Sequence, residues 1–225
     1  GMPAAADVPD ATGQAPLHRA AEYGAPEPIR ELLGNGASVD RPNAAGETPL
    51  LVAARSAKPE AARVLLEAGA HVDARDAAYG ETALHKAAMI GQPELARILI
   101  AHGADLNAQS KAGSTPLHIA ATAKREEVAR ILLVAGADVN ARDALGLTPL
   151  HRAVSLDAPE LVRLLLAYGA DAGIIGEYLA ASLELLDAAA DADGPGASPV
   201  PAARHAADGT PGAARVMLAR RSTRS

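Results

Sequence analysis

The chain has 225 residues, a formal net charge of −6 at pH 7 and no cysteine. The lack of cysteine excludes disulfides, thiolate zinc sites and thiol nucleophiles, and the negative charge disfavours nucleic acid as a partner because phosphates would be repelled. Alanine accounts for 56 residues, whereas the only aromatic residues are four tyrosines. Because such small side chains fill a core only where backbones lie close together, the composition predicts an all-α fold of closely packed helices.

Neither a membrane span nor an export signal is visible in the sequence. No segment approaches the ~20 apolar residues that a helix needs to cross a bilayer. The N-terminus lacks the basic, apolar and small-residue order of a secretory signal, so we expect a cytoplasmic protein. Arg outnumbers Lys 17 to 4, which together with the alanine excess indicates a GC-rich, bacterial genome.

One unit recurs five times along the chain. It is marked by Gly13, Gly46, Gly80, Gly113 and Gly146, which are 33, 34, 33 and 33 residues apart. The same phrase follows each glycine: QAPLHRAA, ETPLLVAA, ETALHKAA, STPLHIAA and LTPLHRAV. A second phrase comes later in each unit: IRELLGNGASVD, ARVLLEAGAHVD, ARILIAHGADLN, ARILLVAGADVN and VRLLLAYGADAG. A fixed period of this length is the signature of a repeat architecture.

The residues of one unit predict two helices and a turn. In the fourth unit Thr115 suits an N-cap and Pro116 suits the first helical position, where no N–H donor is needed. Gly136 suits the end of the second helix, and residues 138–146 form the extended turn to the next unit. A Pro–Glu pair predicts the start of the second helix in four units, at Pro26, Pro59, Pro93 and Pro159.

In these motifs and their spacing the chain resembles the ankyrin repeat family over residues 13–175. The resemblance implies a solenoid of stacked helix-turn-helix units with extended finger turns, and repeats at 13–45, 46–79, 80–112, 113–145 and 146–175. Stacking is required because one unit cannot bury its own apolar face. We further predict an N-terminal arm at 1–12 and a C-terminal capping helix at 176–190. The remaining residues, 191–225, contain too few large apolar side chains to offset the entropy of ordering, so they predict a disordered tail.

Some units depart from the common pattern. Ala57, Lys124 and Asp157 replace the glycine usual between the two helices, at a position where left-handed backbone is costly for Ala or Lys and less so for Asp. We therefore expect these turns to differ slightly in geometry. Leu51 stands where the other four units have histidine. The extra residue among Ala77, Ala78 and Tyr79 predicts a bulge in that finger.

The repeated histidines raise the question of a metal or catalytic ladder: His18, His85, His118 and His151. Equivalent atoms of stacked helices lie about 8–10 Å apart, whereas zinc holds its ligands near ~2 Å, so the period excludes a shared metal site. The resemblance implies instead that this histidine is structural and bonds near the helix-starting Thr and the neighbouring finger. No phosphate-binding glycine loop, nucleophile elbow or Ser/Lys dyad is present. We therefore predict no enzyme activity, cofactor, metal or small-molecule substrate.

The resemblance implies that a protein partner binds the concave face, which is formed by the finger tips and the exposed side of the first helices. Positions that vary among the units are the candidates, since packing does not fix them. Large apolar residues there predict the anchors of an interface: Tyr79, Met89, Ile90, Leu145, Leu147 and Leu156. A polar rim is predicted around them: Arg55, Arg75, Glu81, Gln109, Lys111, Ser114 and Arg142. The competing interpretation is that the finger residues pack on one another across repeats.

The sequence therefore predicts a protein–protein interaction module, a bacterial adaptor or inhibitor that acts on an unknown protein as a monomer, although the apolar strip could also serve self-association. A second hypothesis makes the repeats a passive scaffold. Its active element is the tail, whose Arg215, Arg220, Arg221 and Arg224 would bind an acidic partner, a membrane or nucleic acid. A third hypothesis, catalysis by an unrecognised site, requires a pocket with strongly perturbed titratable groups.

Overall fold

The computed structural model describes residues 8–10, 13–173 and 176. Within these residues the chain forms ten helices and no strand. The helices in chain order are α1 (Pro16–Tyr23), α2 (Pro26–Gly34), α3 (Pro49–Arg55), α4 (Pro59–Glu67), α5 (Ala83–Ile90), α6 (Pro93–Ala101), α7 (Pro116–Thr122), α8 (Glu126–Val134), α9 (Pro149–Ser155) and α10 (Pro159–Ala167). Odd-numbered helices are the first helices of the repeats and even-numbered helices the second. This order confirms the predicted all-α solenoid.

The helix boundaries follow from the residues predicted to set them. Four second helices begin at the predicted prolines, and α8 begins at Glu126 instead. Every second helix has a glutamate in its first turn, where the carboxylate meets the positive end of the helix. Gly136 follows the end of α8 with a left-handed φ of 98°, as expected of a glycine beyond a helix C-terminus.

The turn between the two helices of a repeat keeps one backbone conformation with or without glycine. Gly24 and Gly91 have φ values of 76° and 81°, and Ala57, Lys124 and Asp157 have 55°, 55° and 51°. The predicted departures are therefore left-handed, and their side chains incur the strain that glycine avoids.

The core lies between two layers of helices. Neighbouring first helices pack on one another from α1 on α3 to α7 on α9, and neighbouring second helices do the same from α2 on α4 to α8 on α10. Alanines of the first helices, such as Ala87 and Ala88, are fully buried in these contacts. Larger side chains, such as Leu99 and Leu132, fill the space between the layers. The alanine excess thus reflects the close approach of adjacent repeats.

The finger turns pack closely on one another. The N–H of Gly113 donates to the carbonyl of Ser110, three residues back, at 2.9 Å. In the third finger the extra residue widens this turn, so that Gly80 N–H donates to the carbonyl of Asp76, four residues back, at 3.2 Å. Gly113 has a φ of 72°, and a Cβ there would lie 2.5 Å from the backbone nitrogen of Ala144 in the next finger. Conformation and close approach both require glycine at this position.

The first finger begins inside the predicted N-terminal arm. The carbonyl of Asp10 accepts from Gly13 N–H at 2.9 Å, and the N–H of Asp10 donates to the carbonyl of Gln14 at 3.0 Å. Within the described residues, the hydrogen bonds of the array therefore extend to Asp10. The predicted capping helix, apart from Gly176, and the predicted tail lie outside the described residues.

We expect Leu132→Ala in α8 to lower the free energy of unfolding by about 2–5 kcal/mol, because the side chain is fully buried and its truncation leaves a cavity. Val134 in the same helix is 70% exposed, so the control Val134→Ala should change stability by no more than about 0.5 kcal/mol. Urea unfolding followed by circular dichroism would measure both variants. Equal losses would contradict this assignment of the buried face of α8.

Candidate functional site

Histidines join each first helix to the next finger. The N–H of Thr115 donates to Nδ1 of His118 at 3.2 Å, and Nε2 of His118 lies 2.9 Å from the carbonyl of Leu147 in the next repeat. Because a backbone N–H can only donate, Nδ1 is the acceptor and Nε2 carries the hydrogen that is donated to the carbonyl. His18 and His85 bond in the same way. The structural role that the resemblance implied is confirmed for these three histidines.

These histidines are held in the neutral form. Burial lowers the pKa of His18, His85 and His118 below the ordinary value, although their bonds to backbone groups act in the opposite direction. In the second repeat Leu51 takes the place of the histidine and is fully buried. There the hydroxyl of Thr48 accepts from the N–H of Leu51 at 3.4 Å. The ladder therefore links repeats, and its geometry offers no reacting group to solvent.

Ion pairs join the fingers that precede repeats one, three and five to the first helices of those repeats. Nζ of Lys86 lies 2.7 Å from the carboxylate of Asp76. A guanidinium nitrogen of Arg152 lies 2.7 Å from the carboxylate of Asp143. The side chains of Asp76 and Asp143 are 4% and 1% exposed, so both carboxylates are buried. In the first repeat Arg19 pairs with the finger residue Asp10 in the same manner, closer to the surface.

Both charges of this pair are lacking at repeats two and four. Asn43 precedes repeat two and Val52 lies in its first helix, and Ser110 precedes repeat four and Ile119 lies in its first helix. The two charges are thus present together or absent together, as a contact requires when an unpaired buried charge would be costly. This pair was not predicted, although the joint alternation of the two positions along the repeats is visible in the sequence.

Glu81 requires a correction to the predicted polar rim. It is only 8% exposed, and its carboxylate lies 3.7 Å from Nζ of Lys86. Burial raises the pKa of Glu81. Burial acts in the same direction on Asp76, but bonds from Lys86 and from backbone N–H groups outweigh it and lower the pKa of Asp76. Lys86 is therefore shared by two carboxylates, and Glu81 lies beneath the surface instead of at its rim.

We call the side that carries the finger turns at 75–81, 109–114 and 142–147 and the ends of α5 and α9 the finger face. It corresponds to the predicted concave face. Its most exposed apolar residues are Leu145 at 76%, Tyr79 at 67% and Met89 at 46%. Tyr79 and Leu145 stand at the same position of two fingers, directly before the finger glycine. Large apolar side chains that project together into solvent are typical of an interaction surface.

The other predicted apolar residues project less. Ile90, Leu147 and Leu156 are only partly exposed. Leu147 is held by its own backbone, since its N–H donates to the carboxylate of Asp143 at 3.0 Å and its carbonyl bonds His118. Tyr79, Met89 and Leu145 are therefore the members of the predicted set that a partner can reach most easily.

The remaining rim residues differ in their partners. Arg75, Lys111 and Arg142 are exposed and bond backbone carbonyls. Arg55 pairs with the carboxylates of Glu47 at 3.1 Å and Glu22 at 3.5 Å. Gln109 is exposed and Ser114 partly exposed.

Tyr23 is an exposed aromatic residue that the sequence analysis did not select. It ends α1 and is 73% exposed. It is the tenth residue after the finger glycine, the position that Ile90 and Leu156 occupy in repeats three and five. This shared register was the available signal, and it extends the candidate surface to the first repeat.

The opposite side, formed by the second helices, carries a regular set of charge pairs. Each second helix pairs an arginine with a glutamate three residues earlier, except α6, where Arg97 pairs with Glu127 of the next repeat at 2.9 Å. Arg63 also reaches Glu94 across a repeat boundary at 3.3 Å. The arginines of this outer face are thus balanced by carboxylates.

In the described part of the chain, no three histidine, aspartate or glutamate side chains come together in a way that could hold a metal ion. The same residues include no helix with the length and apolar character to cross a membrane.

Comparison with known protein families agrees with this architecture. A family model described as ankyrin repeats in three copies matches residues 2–76 and again 73–143, and a model of the single ankyrin repeat matches residues 145–176. The chain belongs to the ankyrin repeat family. A search of curated proteins found no match. Ankyrin repeats are generally protein–protein interaction modules and typically not enzymes.

We expect the ankyrin stack to lose stability as the pH falls below about 6.5, the pKa of histidine in an unfolded chain. The pKa values of the folded histidines are lowered, so the unfolded state takes up protons first. The stabilisation is therefore complete above the unfolded pKa and is lost as the pH falls towards the folded pKa.

His118→Leu tests this expectation. At about pH 8 it should lower the free energy of unfolding by about 1–3 kcal/mol, because Thr115 N–H and the Leu147 carbonyl lose their partner. It should also flatten the fall in stability between about pH 7 and pH 5.5, by at most about 1.4 kcal/mol per pH unit. Thermal unfolding across this range would measure the slope, with His71→Leu at an exposed position as the control for loss of one histidine. A slope equal to that of the parent would refute a buried neutral His118.

Proposed function

We propose that this ankyrin repeat chain is a non-enzymatic adaptor or inhibitor of bacterial origin that binds a protein partner through its finger face. The observation that carries the proposal is the exposure of Tyr79, Met89 and Leu145 on the side where the fingers lie. Large side chains that become buried on binding and are surrounded by polar residues supply most of the binding energy in protein interfaces.

The packing of the repeats supports the choice of this face. The finger carboxylates that stabilise the fold, Asp76, Glu81 and Asp143, are buried. Tyr79 and Leu145 project into solvent from the same turns. A structural role therefore does not account for these two side chains. A specific interface buries about 800 Å² on each partner, an area that an array of five repeats can supply.

The fingers also form a firm support for such an interface. The N–H of Lys111 donates to the carbonyl of Tyr79 at 2.8 Å, and the N–H of Ala144 donates to the carbonyl of Ala112 at 3.0 Å. The third, fourth and fifth fingers are thus linked through their backbones. Preorganised surfaces of this kind lose less entropy when they bind.

We expect Tyr79→Asp/Leu145→Asp to abolish capture of the partner from a lysate of the source cell, because a carboxylate would have to be desolvated at each anchor position. Helix content should not change, since both side chains are mostly exposed. Val134→Asp is the matched control, because Val134 is 70% exposed in the outer helix α8. Mass spectrometry of the captured proteins and circular dichroism of each variant are the measurements.

A full-length variant with Arg215, Arg220, Arg221 and Arg224 changed to Gln completes the experiment. A partner that is lost from this variant and retained by Tyr79→Asp/Leu145→Asp would assign the function to the tail and make the repeats a scaffold. Loss of helix content in the finger variant would show that Tyr79 and Leu145 belong to the fold, contrary to the proposal.

A further inference from the structure

On the finger-face turns at 75–81, 109–114 and 142–147, the exposed charge is entirely positive. These turns contain three carboxylates, Asp76, Glu81 and Asp143, which are 6%, 8% and 7% exposed. Their three cations, by contrast, are all exposed: Arg75, Lys111 and Arg142. We propose that the finger face recognises an acidic, apolar segment of its protein partner, an inference that rests on the function proposed above.

The three cations bond carbonyl groups only. Arg75 donates to the carbonyls of Gly80, at 3.0 Å, and Gln109. Lys111 donates to the carbonyls of Ala77 and Ala78, at 2.5 and 3.1 Å.

The third cation follows the same rule, since Arg142 donates to the carbonyl of Gly146 at 3.1 Å. Within the described residues, no carboxylate lies in ion-pair distance of Arg75, Lys111 or Arg142. Carbonyls orient these side chains along the fingers without neutralising them, so each charge remains available to an incoming carboxylate.

Most other arginines of the stack differ, although the exposed Arg125 also bonds a carbonyl, that of Met89 in α5, at 3.1 Å. Arginines of the outer face lie beside glutamates, and the helix cations Lys86 and Arg152 lie beside finger carboxylates. The chain as a whole has a net charge of −6. The finger turns thus present positive charge without an exposed carboxylate in a chain of net negative charge, which favours encounter with an acidic partner.

The apolar neighbours of the cations favour a protein segment over nucleic acid. Tyr79 and Leu145 project from the outer two of the same three turns. Leucine matches the apolar side chains of a peptide, whereas single-stranded nucleic acid is bound by a groove lined with aromatic residues on which its bases stack. The tail at 191–225 has five Arg and three Asp. Its net positive charge argues against the tail as the segment that binds these cations.

The repeat period specifies the spacing of acidic residues in the bound segment. Stacked helices lie about 8–10 Å apart, and a segment in the polyproline II conformation advances about 3.1 Å per residue and presents every third side chain on the same face. One carboxylate for each finger therefore corresponds to an acidic residue at about every third position. The three fingers would read such positions at i, i+3 and i+6, with apolar residues between them.

The test is selection of a displayed library of random 16-residue peptides on the full-length chain. We expect enrichment of Asp and Glu at three-residue spacing. Affinity of the best peptide, measured by fluorescence anisotropy, should fall about tenfold or more in Arg75→Gln/Lys111→Gln/Arg142→Gln, as expected for three lost charge pairs.

Two further variants separate charge from folding. Arg30→Gln/Arg130→Gln/Arg163→Gln removes the same number of charges from the outer face, where these side chains are at least half exposed, and should bind the peptide like the parent. Arg75→Lys/Arg142→Lys should retain most of the affinity. Thermal unfolding of all variants shows whether the fingers remain folded.

Several outcomes would overturn the inference. Enriched peptides without acidic residues that still require Tyr79 and Leu145 would overturn it while the proposed function stands. Equal affinity of the acidic peptide for the finger and outer-face Gln variants would exclude the three cations as its site. If a 16-nucleotide thymidine oligomer binds as tightly as the acidic peptide, the three cations are a site for phosphates and not for a carboxylate-bearing segment. Failure to enrich any peptide that depends on the finger face would also refute recognition of a linear acidic segment.

Discussion

Contact between neighbouring repeats is the constraint on which the structure depends, because one helical pair cannot bury its own apolar face. Alanines allow the first helices to approach, and each bonded histidine carries a hydrogen bond from one repeat to the carbonyl of the next finger. A second series of bonds runs along the loops, where the N–H of Asp138 donates to Asn107 and that of Asp171 donates to Asn140, both at 2.9 Å. Every repeat therefore holds its neighbour through polar and apolar contacts at the same positions.

This constraint also separates the residues that support the fold from those available for binding. The histidines are neutral because protonation of Nδ1 would remove the acceptor of a buried N–H. The carboxylates of the fingers are buried against helix cations, and the outer face pairs its arginines with glutamates. The charge that remains in solvent on the finger-face turns is positive and lies beside exposed apolar side chains. These residues define the surface to which we assign binding.

Much of the fold was predictable because it depends on short-range chemistry. Thr and Pro at helix starts, glycine beyond helix ends and the period of 33 residues act within a few positions of one another. The backbone at Ala57 was expected to differ slightly, and the structure instead gives it the left-handed conformation of the glycines at the same position. The candidate surface was less predictable, since exposure depends on side chains that are distant in sequence. Glu81 was expected at the rim, Tyr23 was overlooked, and the ion pairs between fingers and helices were not anticipated.

The sequence by itself determined the repeat architecture and the positions at which the repeats may differ, whereas the structural role of the histidines was implied by the resemblance to a family. Recurrence reveals these features because identical contacts require identical residues in every unit. Only the tertiary structure decided which of the variable residues face solvent. Asp76 and Glu81 are buried beside the ammonium group of Lys86. The carboxylate of Asp143 accepts hydrogen bonds from the N–H groups of Leu145 and Leu147, in the turn from which Leu145 projects. Burial of one charge and exposure of another on the same finger depend on where its first helix places a cation, which is a property of three-dimensional packing.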